Sequence, residues 1–320
     1  MAPHIDLSNQ DEPEEYPPLP WISAGNHAVR TRAAEWLRSP SLQRVLDVFG
    51  GADIRVDTDD PETLTRLRRW SRSRLDSRAG RERHEAQHTE YSPLQVRVLR
   101  EAAGPLGLLR TFAPAHSDYD LTIVLGGTVT GNEVRAGYAF EMQAKGVHLG
   151  KLVGAGAYRP LSPAEKTAAA DSGAPPAARV QEYDHLAWVL SRFTSADHRR
   201  MVREQGKADT FSSSRIEVLE RAGVPAAFLA QAPSRRPSRR ADTLDAVLFA
   251  RAELDAAAGQ TLVITSSLYA PYSFFLLAPH ATPEGHIEVV GTPTEISQQP
   301  ARQAQRFAQE IHSTLSVLPT

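Results

Sequence analysis

A change of hydrophobic pattern near residue 115 constrains this fold most, because short apolar runs alternate with helical spacing from there on. The first run, "LTIVL" (121–125), is continuously apolar, as a strand buried on both faces requires. The next stretch carries Val134, Tyr138 and Met142 four residues apart, which predicts an amphipathic helix. This alternation predicts an α/β, Rossmann-like three-layer fold with a parallel sheet. Further strands are predicted at 151–158, 226–230, 261–265 and 286–290, and a last helix at about 300–317.

Capping signals predict several of the remaining elements. Ser214 and Glu217 have the spacing of a capping box, which predicts a helix that ends at Gly223. Asp242 is the predicted N-cap of a helix that ends near Gly259. The stretch 163–178 is rich in alanine and proline, and we expect it to be a surface excursion.

The chain divides into three segments by composition. Residues 1–20 are acidic and proline-rich, with neither Lys nor Arg, which predicts a disordered arm. Residues 21–112 predict a helical extension, and residues 113–320 form the Rossmann-like domain with its C-terminal helix. The extension's helices are predicted at about 27–48, from Pro61 with Asp60 as N-cap, and from Pro93 with Ser92 as N-cap.

Composition excludes several classes of function. The 320-residue chain has a formal net charge of −2, so no global attraction to nucleic acid or to an anionic membrane is expected. It has no cysteine, which excludes disulfides, thiolate catalysis and cysteine-ligated metals. No apolar run is long enough to span a membrane, and the N-terminus lacks the pattern of a secretion signal. We therefore expect a cytoplasmic protein.

The turn after the first strand has two interpretations. In one, Gly126 and Gly127 only let the backbone turn sharply, with the positive φ that glycine tolerates. In the other, the N–H groups of this turn and of the helix N-terminus at Thr128 hold an anion or a polar ligand beyond the strand end. The stretch is neither a dinucleotide-binding fingerprint nor a P-loop. The topological position favours a ligand there.

Several short motifs also resemble a known family. "YDLTIVLGG", "RAGVP", "ADTLDAVLFARAEL" and "GQTLVITSSLYAPYS" follow the order of motifs in the DUF218 (YdcF/SanA/ElyC-like) family, over about residues 118–280. The resemblance implies a Rossmann-like domain and, through a cytoplasmic member, the binding of S-adenosylmethionine; a nucleotide is the other candidate ligand. It implies that the site residues are Gly126, Gly127, Arg135, Thr243, Thr265 and Ser266.

This chain departs from the family pattern at four positions. Asp245 and Ala246 replace a Glu and an Asn of the family, Tyr269 replaces a His, and Tyr272 falls about where an Arg is usual. The polar set is thus shifted toward hydroxyl and aromatic groups, and two tyrosines could stack on a flat ring. Asp245 and Tyr269 are the candidate catalytic residues, although helix geometry could direct Asp245 elsewhere.

Two further patterns lie outside this region of resemblance. "HEAQH" places His84, Glu85 and His88 at the spacing of a zinc site, but its charged surroundings favour a solvated helix end. The arginine-rich stretch 66–83 has three interpretations: a solvated helix face, a cationic wall over an anionic ligand, or an RNA contact. The arginines of "SRRPSRR" (234–240) could steer an anion toward the cleft.

Taken together, these patterns predict an enzyme of small-molecule metabolism that binds a nucleotide-like or anionic ligand at the C-terminal edge of the sheet. The alternatives are a non-catalytic ligand-binding or regulatory protein and, more remotely, a metal-dependent hydrolase that uses "HEAQH". The candidate ligand-binding residues are Gly126, Gly127, Thr128, Arg135, Thr243, Thr265, Ser266, Tyr269 and Tyr272. Among them, we expect Arg135, Thr243, Ser266 and Tyr269 to converge on one cleft with the turn at 126–128.

Overall fold

The computed structural model describes most of the chain from residue 21 onward. The predicted arm at 1–20, the predicted N-cap Asp60, and His84 and Glu85 of "HEAQH" lie outside the described residues. The described residues are 21–22, 26–54, 61–79, 81, 88–207, 210–236, 238–256, 259–282, 285–294 and 296–319.

Within these residues, eight strands form one sheet in the order β1-β8-β7-β2-β3-β6-β5-β4. The five central strands are parallel, and β1, β5 and β4 pair antiparallel at the two sides. If the five parallel strands are numbered by their order in the chain, they lie side by side in the order 3-2-1-4-5, which is that of a doubly wound sheet. The fold is therefore Rossmann-like, as predicted. The strands are β1 (Trp21–Ile22), β2 (Leu121–Leu125), β3 (Lys151–Ala157), β4 (His198–Gln205), β5 (Ser214–Arg221), β6 (Val224–Ala232), β7 (Thr261–Ser266) and β8 (Ile287–Thr292).

Helices cover both faces of the sheet, and alternate side chains of the central strands therefore pack into two different cores. Ile123 of β2 packs into the core that holds the N-terminal helices and the last three helices, whereas Val124 packs into the core on the opposite face. The helices are α1 (Asn26–Arg38), α2 (Pro40–Val48), α3 (Pro61–Arg74), α4 (Pro93–Ala103), α5 (Val129–Ala144), α6 (Pro163–Asp171), α7 (Glu182–Thr194), α8 (Thr243–Glu253), α9 (Ala270–Leu277) and α10 (Pro300–Val317). None of these described helices is both long and apolar enough to span a membrane.

The N-terminal helices share a hydrophobic core with α8, α9 and α10. The ring of Phe275 in α9 lies 5.8 Å from that of Trp21 and 6.2 Å from that of Trp36. Trp36 Nε1 also donates a hydrogen bond to the Leu106 carbonyl, at 3.2 Å. The helical segment therefore forms an outer layer on one face of the sheet, and the predicted boundary at residue 112 is not a break in the core.

Two element predictions are wrong, each for a local reason. The helix predicted at about 27–48 is two helices, because Pro40 begins α2 and the Ser39 hydroxyl accepts a hydrogen bond from Leu42 N. The helix predicted from Ser214 to Gly223 is strand β5 and a turn. Its residues pair with β6, and Ala222 and Gly223 have φ angles of 50° and 77°, as a tight hairpin turn requires.

The stretch predicted as a surface excursion also contains regular structure. It forms α6, whose first turn is closed by a reciprocal capping box between Ser162 and Glu165. This box fixes Glu165 beside the C-terminal edge of the sheet, where it takes part in the site described below.

We expect Phe275→Ala to lower the free energy of unfolding by about 3–5 kcal/mol, because the ring is fully buried between the N-terminal segment and α9. Since the two parts share a core, chemical denaturation should remain one transition by both tryptophan fluorescence and circular dichroism. Met201→Ala is the control, because Met201 lies on the exposed strand β4 and should change stability little. Separate unfolding of the N-terminal helices would contradict the shared core.

Candidate ligand-binding cleft

A cleft of about 1330 Å³ lies at the C-terminal ends of the parallel strands. Its centre is the topological switch point, where β2 and β7 are neighbours but their chain connections leave in opposite directions. All nine residues that the sequence predicts to bind a ligand line this one cleft: Gly126, Gly127, Thr128, Arg135, Thr243, Thr265, Ser266, Tyr269 and Tyr272. The structure thus brings the predicted set together, and their binding of a ligand stays a prediction.

Arg135 connects the two strands of the switch point. Its Nη1 donates to the carbonyls of Leu125, at 2.6 Å, and Gly126, at 2.9 Å. Its Nε and Nη2 donate to the Ser266 hydroxyl at the end of β7, at 3.3 and 3.0 Å. Arg135 is only 4% exposed, although it lies on a helix that borders the cleft. Its guanidinium therefore braces the floor of the cleft, which is a different role from reaching up to a ligand.

Arg159, which follows β3, holds the other side of the same turn. It donates to Glu182 at 2.6 Å, to both oxygens of Glu165 at 2.8 and 2.9 Å, and to the Gly127 carbonyl at 2.8 Å. Burial would raise the pKa of Glu165, but hydrogen bonds from Arg159 and Ser162 lower it to about 2. The Glu165 carboxylate is thus held ionised, and one guanidinium pairs with both carboxylates that flank the turn.

The sequence-based prediction did not include Arg159, Glu165 and Glu182. A signal was present, because Arg159 follows a predicted strand just as Ser266 does, and strand ends share one edge of a parallel sheet. The Ser162–Glu165 spacing was a second signal, since it is that of a capping box.

The two glycines of the turn are required by the polar side chains beneath them. A Cβ atom at Gly126 would lie 2.5 Å from Glu182 Oε1, and one at Gly127 would lie 2.9 Å from Arg135 Nη1. The expectation of a positive φ at this turn is wrong, because the described glycines with positive φ lie elsewhere. Glycine is needed here for space, since the turn rests directly on buried charged groups.

The N–H groups of this turn are already used inside the protein. Gly126 N donates to the Ala155 carbonyl at 2.7 Å, and Gly127 N donates to Asn132 Oδ1 at 2.8 Å. Asn132 Nδ2 in turn lies 3.2 Å from His185 Nδ1. These two backbone donors therefore cannot also cradle an anion, and the turn is a rigid polar floor.

His185 supports this floor from below as a neutral imidazole. Burial lowers the pKa of His185 to about 4, against a weaker opposing effect of Glu165. Because Asn132 Oδ1 accepts from Gly127, the Asn132 amide group donates to His185 Nδ1, which puts the imidazole proton on Nε2.

The opposite wall of the cleft is built around Tyr272 on α9. Arg78 pairs with Glu310 at 2.7 Å, and Arg239 pairs with Asp242 at 2.8 Å. Burial raises the pKa of Tyr272 to about 12; Asp242 and Glu310 add to this rise, and Arg239 and Arg78 oppose it. The tyrosine hydroxyl is thus influenced by both ion pairs and stays protonated at neutral pH.

The candidate catalytic residues have different surroundings. The Asp245 side chain is 1% exposed, pairs with Arg235 and accepts a hydrogen bond from Asp242 N at 3.1 Å. It does not line the cleft, so the geometry gives it the role of a helix cap. Tyr269 lines the cleft and its hydroxyl accepts a hydrogen bond from Arg306 at 3.0 Å.

The metal-site candidate gains no support from the described part of the chain. His88 is exposed there, while His84 and Glu85 lie outside the described residues. The described residues contain no cluster of three or more His, Asp or Glu side chains able to hold a metal ion.

Comparisons with known proteins identify relatives whose names state no function. The model of the family described as Rv3785 N-terminal domain matches residues 22–107. The uncharacterised proteins Rv3785 of Mycobacterium tuberculosis and Mb3814 of Mycobacterium bovis are each 28% identical to this chain over 319 residues. These alignments cover 90% of this chain and 88% of each relative. No solved structure matches the chain.

The resemblance to the DUF218 family is wrong, because the matching family and relatives are of the Rv3785 kind. Two of the four motifs that suggested it are short strands that end in small residues at a turn; "RAGVP" is the hairpin turn between β5 and β6, and "ADTLDAVLFARAEL" is helix α8. Any parallel sheet that brings its strand ends close to a helix N-terminus needs such residues. The family model also matches the N-terminal helices, which that resemblance did not cover.

We expect Gly126→Ala to lower the free energy of unfolding by about 1–3 kcal/mol, because the new methyl group would displace the Glu182 carboxylate from Arg159. Gly104→Ala is the matched control: Gly104 has φ −63° and ψ −61°, with nothing within 4 Å of its added Cβ atom. That variant should be unchanged or about 0.4–1 kcal/mol more stable. Equal urea midpoints for the two variants would show that the turn does not need this space.

We expect the stability of the protein to fall as pH decreases from 6.5 to about 4, because the unfolded chain binds a proton at His185 that the folded chain excludes. The contribution of Glu165 to the free energy of unfolding is lost at lower pH, between pH 4.5 and about 2. His185→Gln should make the slope of unfolding free energy between pH 6.5 and 4 shallower by at most about 1.4 kcal/mol per pH unit.

Urea unfolding at several pH values measures this slope. Burial also lowers the pKa of His280 and of His312, so part of the slope should remain in the variant. An unchanged slope after His185→Gln would show that this histidine is protonated equally in both states.

Proposed function

We propose that the protein binds a nucleotide-like ligand carrying anionic groups in the cleft at the switch point. One observation carries this proposal: the described wall of the cleft has eight arginines and five carboxylates. Each of the five carboxylates already has a basic partner, as Glu165 and Glu182 share Arg159, Glu310 has Arg78, Asp242 has Arg239, and Asp76 lies 3.7 Å from His312. The surplus positive charge favours an anion.

The position and size of the cleft support a ligand of this class. Doubly wound sheets bind nucleotides in the crevice outside the switch point, which is where this cleft lies. The volume of about 1330 Å³ exceeds the roughly 300–1,000 Å³ of common small-molecule sites, so a nucleoside with phosphates has room. Nucleotides are metabolites of the cytoplasm, and the proposal places the protein's action there.

The geometry favours binding over catalysis. A general base near neutral pH needs a pKa close to 7, whereas Glu165 is held near 2 by Arg159 and Ser162. Asp245 is occupied by capping and by Arg235, outside the cleft wall. We therefore put the non-catalytic ligand-binding function first and the metabolic enzyme second, with turnover of the bound nucleotide as the measurement that would reverse the order.

S-adenosylmethionine is the weaker ligand candidate. Only the resemblance to the DUF218 family implied this ligand, and the matching family model is a different one. It also carries a sulfonium cation and an ammonium group, which do not match the surplus of arginines.

We expect wild-type protein to bind ATP in isothermal titration calorimetry, and Thr130→Trp to weaken this binding by at least about tenfold. Thr130 is exposed in the first turn of α5 and lines the cleft, so a large side chain there occupies ligand space without disturbing the core. Gln143→Trp is the control, because Gln143 is exposed at the other end of α5 and does not line the cleft. Absence of binding for ATP, GTP and pyrophosphate to the wild type would overturn the proposal.

A further inference from the structure

The surplus positive charge is confined to one half of the cleft. We define the strand-end half by the charged lining residues that follow β2 and β3. It contains two arginines and two carboxylates: Arg135, Arg159, Glu165 and Glu182. We define the basic wall as the charged residues of the stretch 72–81, the stretch 239–242 and α10. Among the described lining residues of the basic wall, six arginines meet three carboxylates: Arg72, Arg78, Arg81, Arg239, Arg240 and Arg306 with Asp76, Asp242 and Glu310.

The strand-end half is suited to an uncharged, hydroxyl-bearing group. The N–H groups of Gly126 and Gly127 are bonded inside the protein, so they do not offer a phosphate cradle. The Ser266 hydroxyl accepts from Arg135, and the Thr128 hydroxyl accepts from Gly131 N at 3.2 Å. A hydroxyl that accepts on one side keeps its own proton to donate, and it can donate to a ring nitrogen or a sugar oxygen.

The basic wall is held in a defined shape by contacts between distant parts of the chain. Gln309 Oε1 accepts hydrogen bonds from Ser77 N at 2.9 Å and from Arg78 N at 3.1 Å. Asp76 Oδ1 accepts from the backbone N–H groups of Arg78 and Ala79, both at 3.0 Å. The stretch after α3 is thus anchored to α10, and its arginines face the same cleft as the arginines of the stretch 239–242.

From this charge distribution we infer that the ligand lies across the cleft with its phosphates on the basic wall and its nucleoside at the strand ends. This inference rests on the proposed function. It reverses the usual arrangement of doubly wound folds, in which the first strand-to-helix turn holds the phosphates. It also gives the arginine-rich stretch of the N-terminal segment a function, because that segment supplies three of the six arginines of the basic wall.

The test compares ATP with adenosine and pyrophosphate in calorimetric titrations of the full-length protein. The double variant Arg72→Ala/Arg81→Ala removes two exposed cations of the basic wall. It should weaken the binding of ATP and of pyrophosphate by about tenfold or more, because two charge-assisted contacts to phosphate are lost, and leave the binding of adenosine within about twofold. The matched control is Arg69→Ala/Arg74→Ala, which removes two exposed arginines of α3 that do not line the cleft.

Ser266→Ala completes the test from the other half of the cleft. It should weaken the binding of adenosine and of ATP by the same factor, because it removes a donor to the nucleoside. It also removes the acceptor of Arg135 Nε and Nη2, so an unchanged affinity for pyrophosphate is the readout that the cleft keeps its shape.

Each outcome decides one of the two proposals. If ATP binds but Arg72→Ala/Arg81→Ala changes ATP and adenosine equally, the phosphates lie elsewhere, and the inferred orientation is wrong while the proposed function stands. If pyrophosphate binds in a manner that depends on Arg72 and Arg81 but adenosine does not bind and ATP binds no better than pyrophosphate, the nucleoside half of the inference is wrong. If ATP, adenosine and pyrophosphate all fail to bind, the proposed function falls and the inference with it.

Discussion

The buried guanidinium of Arg135 is the contact on which the cleft depends. It joins the carbonyls of Leu125 and Gly126 at the end of β2 to the hydroxyl of Ser266 at the end of β7. In a doubly wound sheet the helices leave in opposite directions at this point, so little else crosses from one strand end to the other. A buried cation needs such partners, because each unsatisfied N–H of a buried charged group would be costly. The hydrogen bonds that satisfy this buried charge therefore also make the floor of the cleft rigid.

Arg159 extends the same arrangement to the next strand. With Arg135 it takes the carbonyls of three consecutive residues, 125 to 127, and it pairs with Glu165 and Glu182, so that two arginines balance two carboxylates. The floor is thus polar but electrically balanced, and the two glycines let the backbone rest on it. Net positive charge then has to come from other elements, and it comes from the stretches 72–81 and 239–242, which are far apart in sequence, whereas Arg306 and Glu310 of α10 balance each other.

The sequence predicted the sheet and the position of the cleft because both follow from local patterns. The apolar run at 121–125 and the strands at 261–265 and 286–290 were found within one or two residues of β2, β7 and β8. Strand ends in a parallel sheet share an edge, so residues after β2 and β7 could be brought together by topology alone. The prediction failed where a local signal had two meanings, as at Ser214, where a capping pattern also fits a strand whose Ile216 and Val218 pair with β6.

The division of charge within the cleft could not be predicted from the sequence. The sequence of the arginine-rich stretch 66–83 fits a solvated helix face as well as it fits a cationic wall of the cleft. Arg69 and Arg74 are indeed exposed away from the cleft. Arg72 lines the cleft from α3, and the stretch that carries Arg78 and Arg81 is held beside α10 by the hydrogen bonds from Ser77 and Arg78 to Gln309. Such long-range contacts have no periodic signature, since they join positions more than 200 residues apart.

The contact between Arg68 and the carbonyl of Leu318, at 2.6 Å, closes the chain across 250 positions. The cleft takes its wall from residues near 72–81 and from α10, which are among the first and the last parts of the described chain to leave the ribosome. A nascent chain that has completed the parallel strands still lacks Arg306 and Glu310 of the basic wall and the Gln309 side chain that anchors the stretch after α3. The cleft therefore takes its full shape only when synthesis of α10 is finished, and a product truncated before Pro300 would carry every described strand without the part of the cleft wall that α10 supplies.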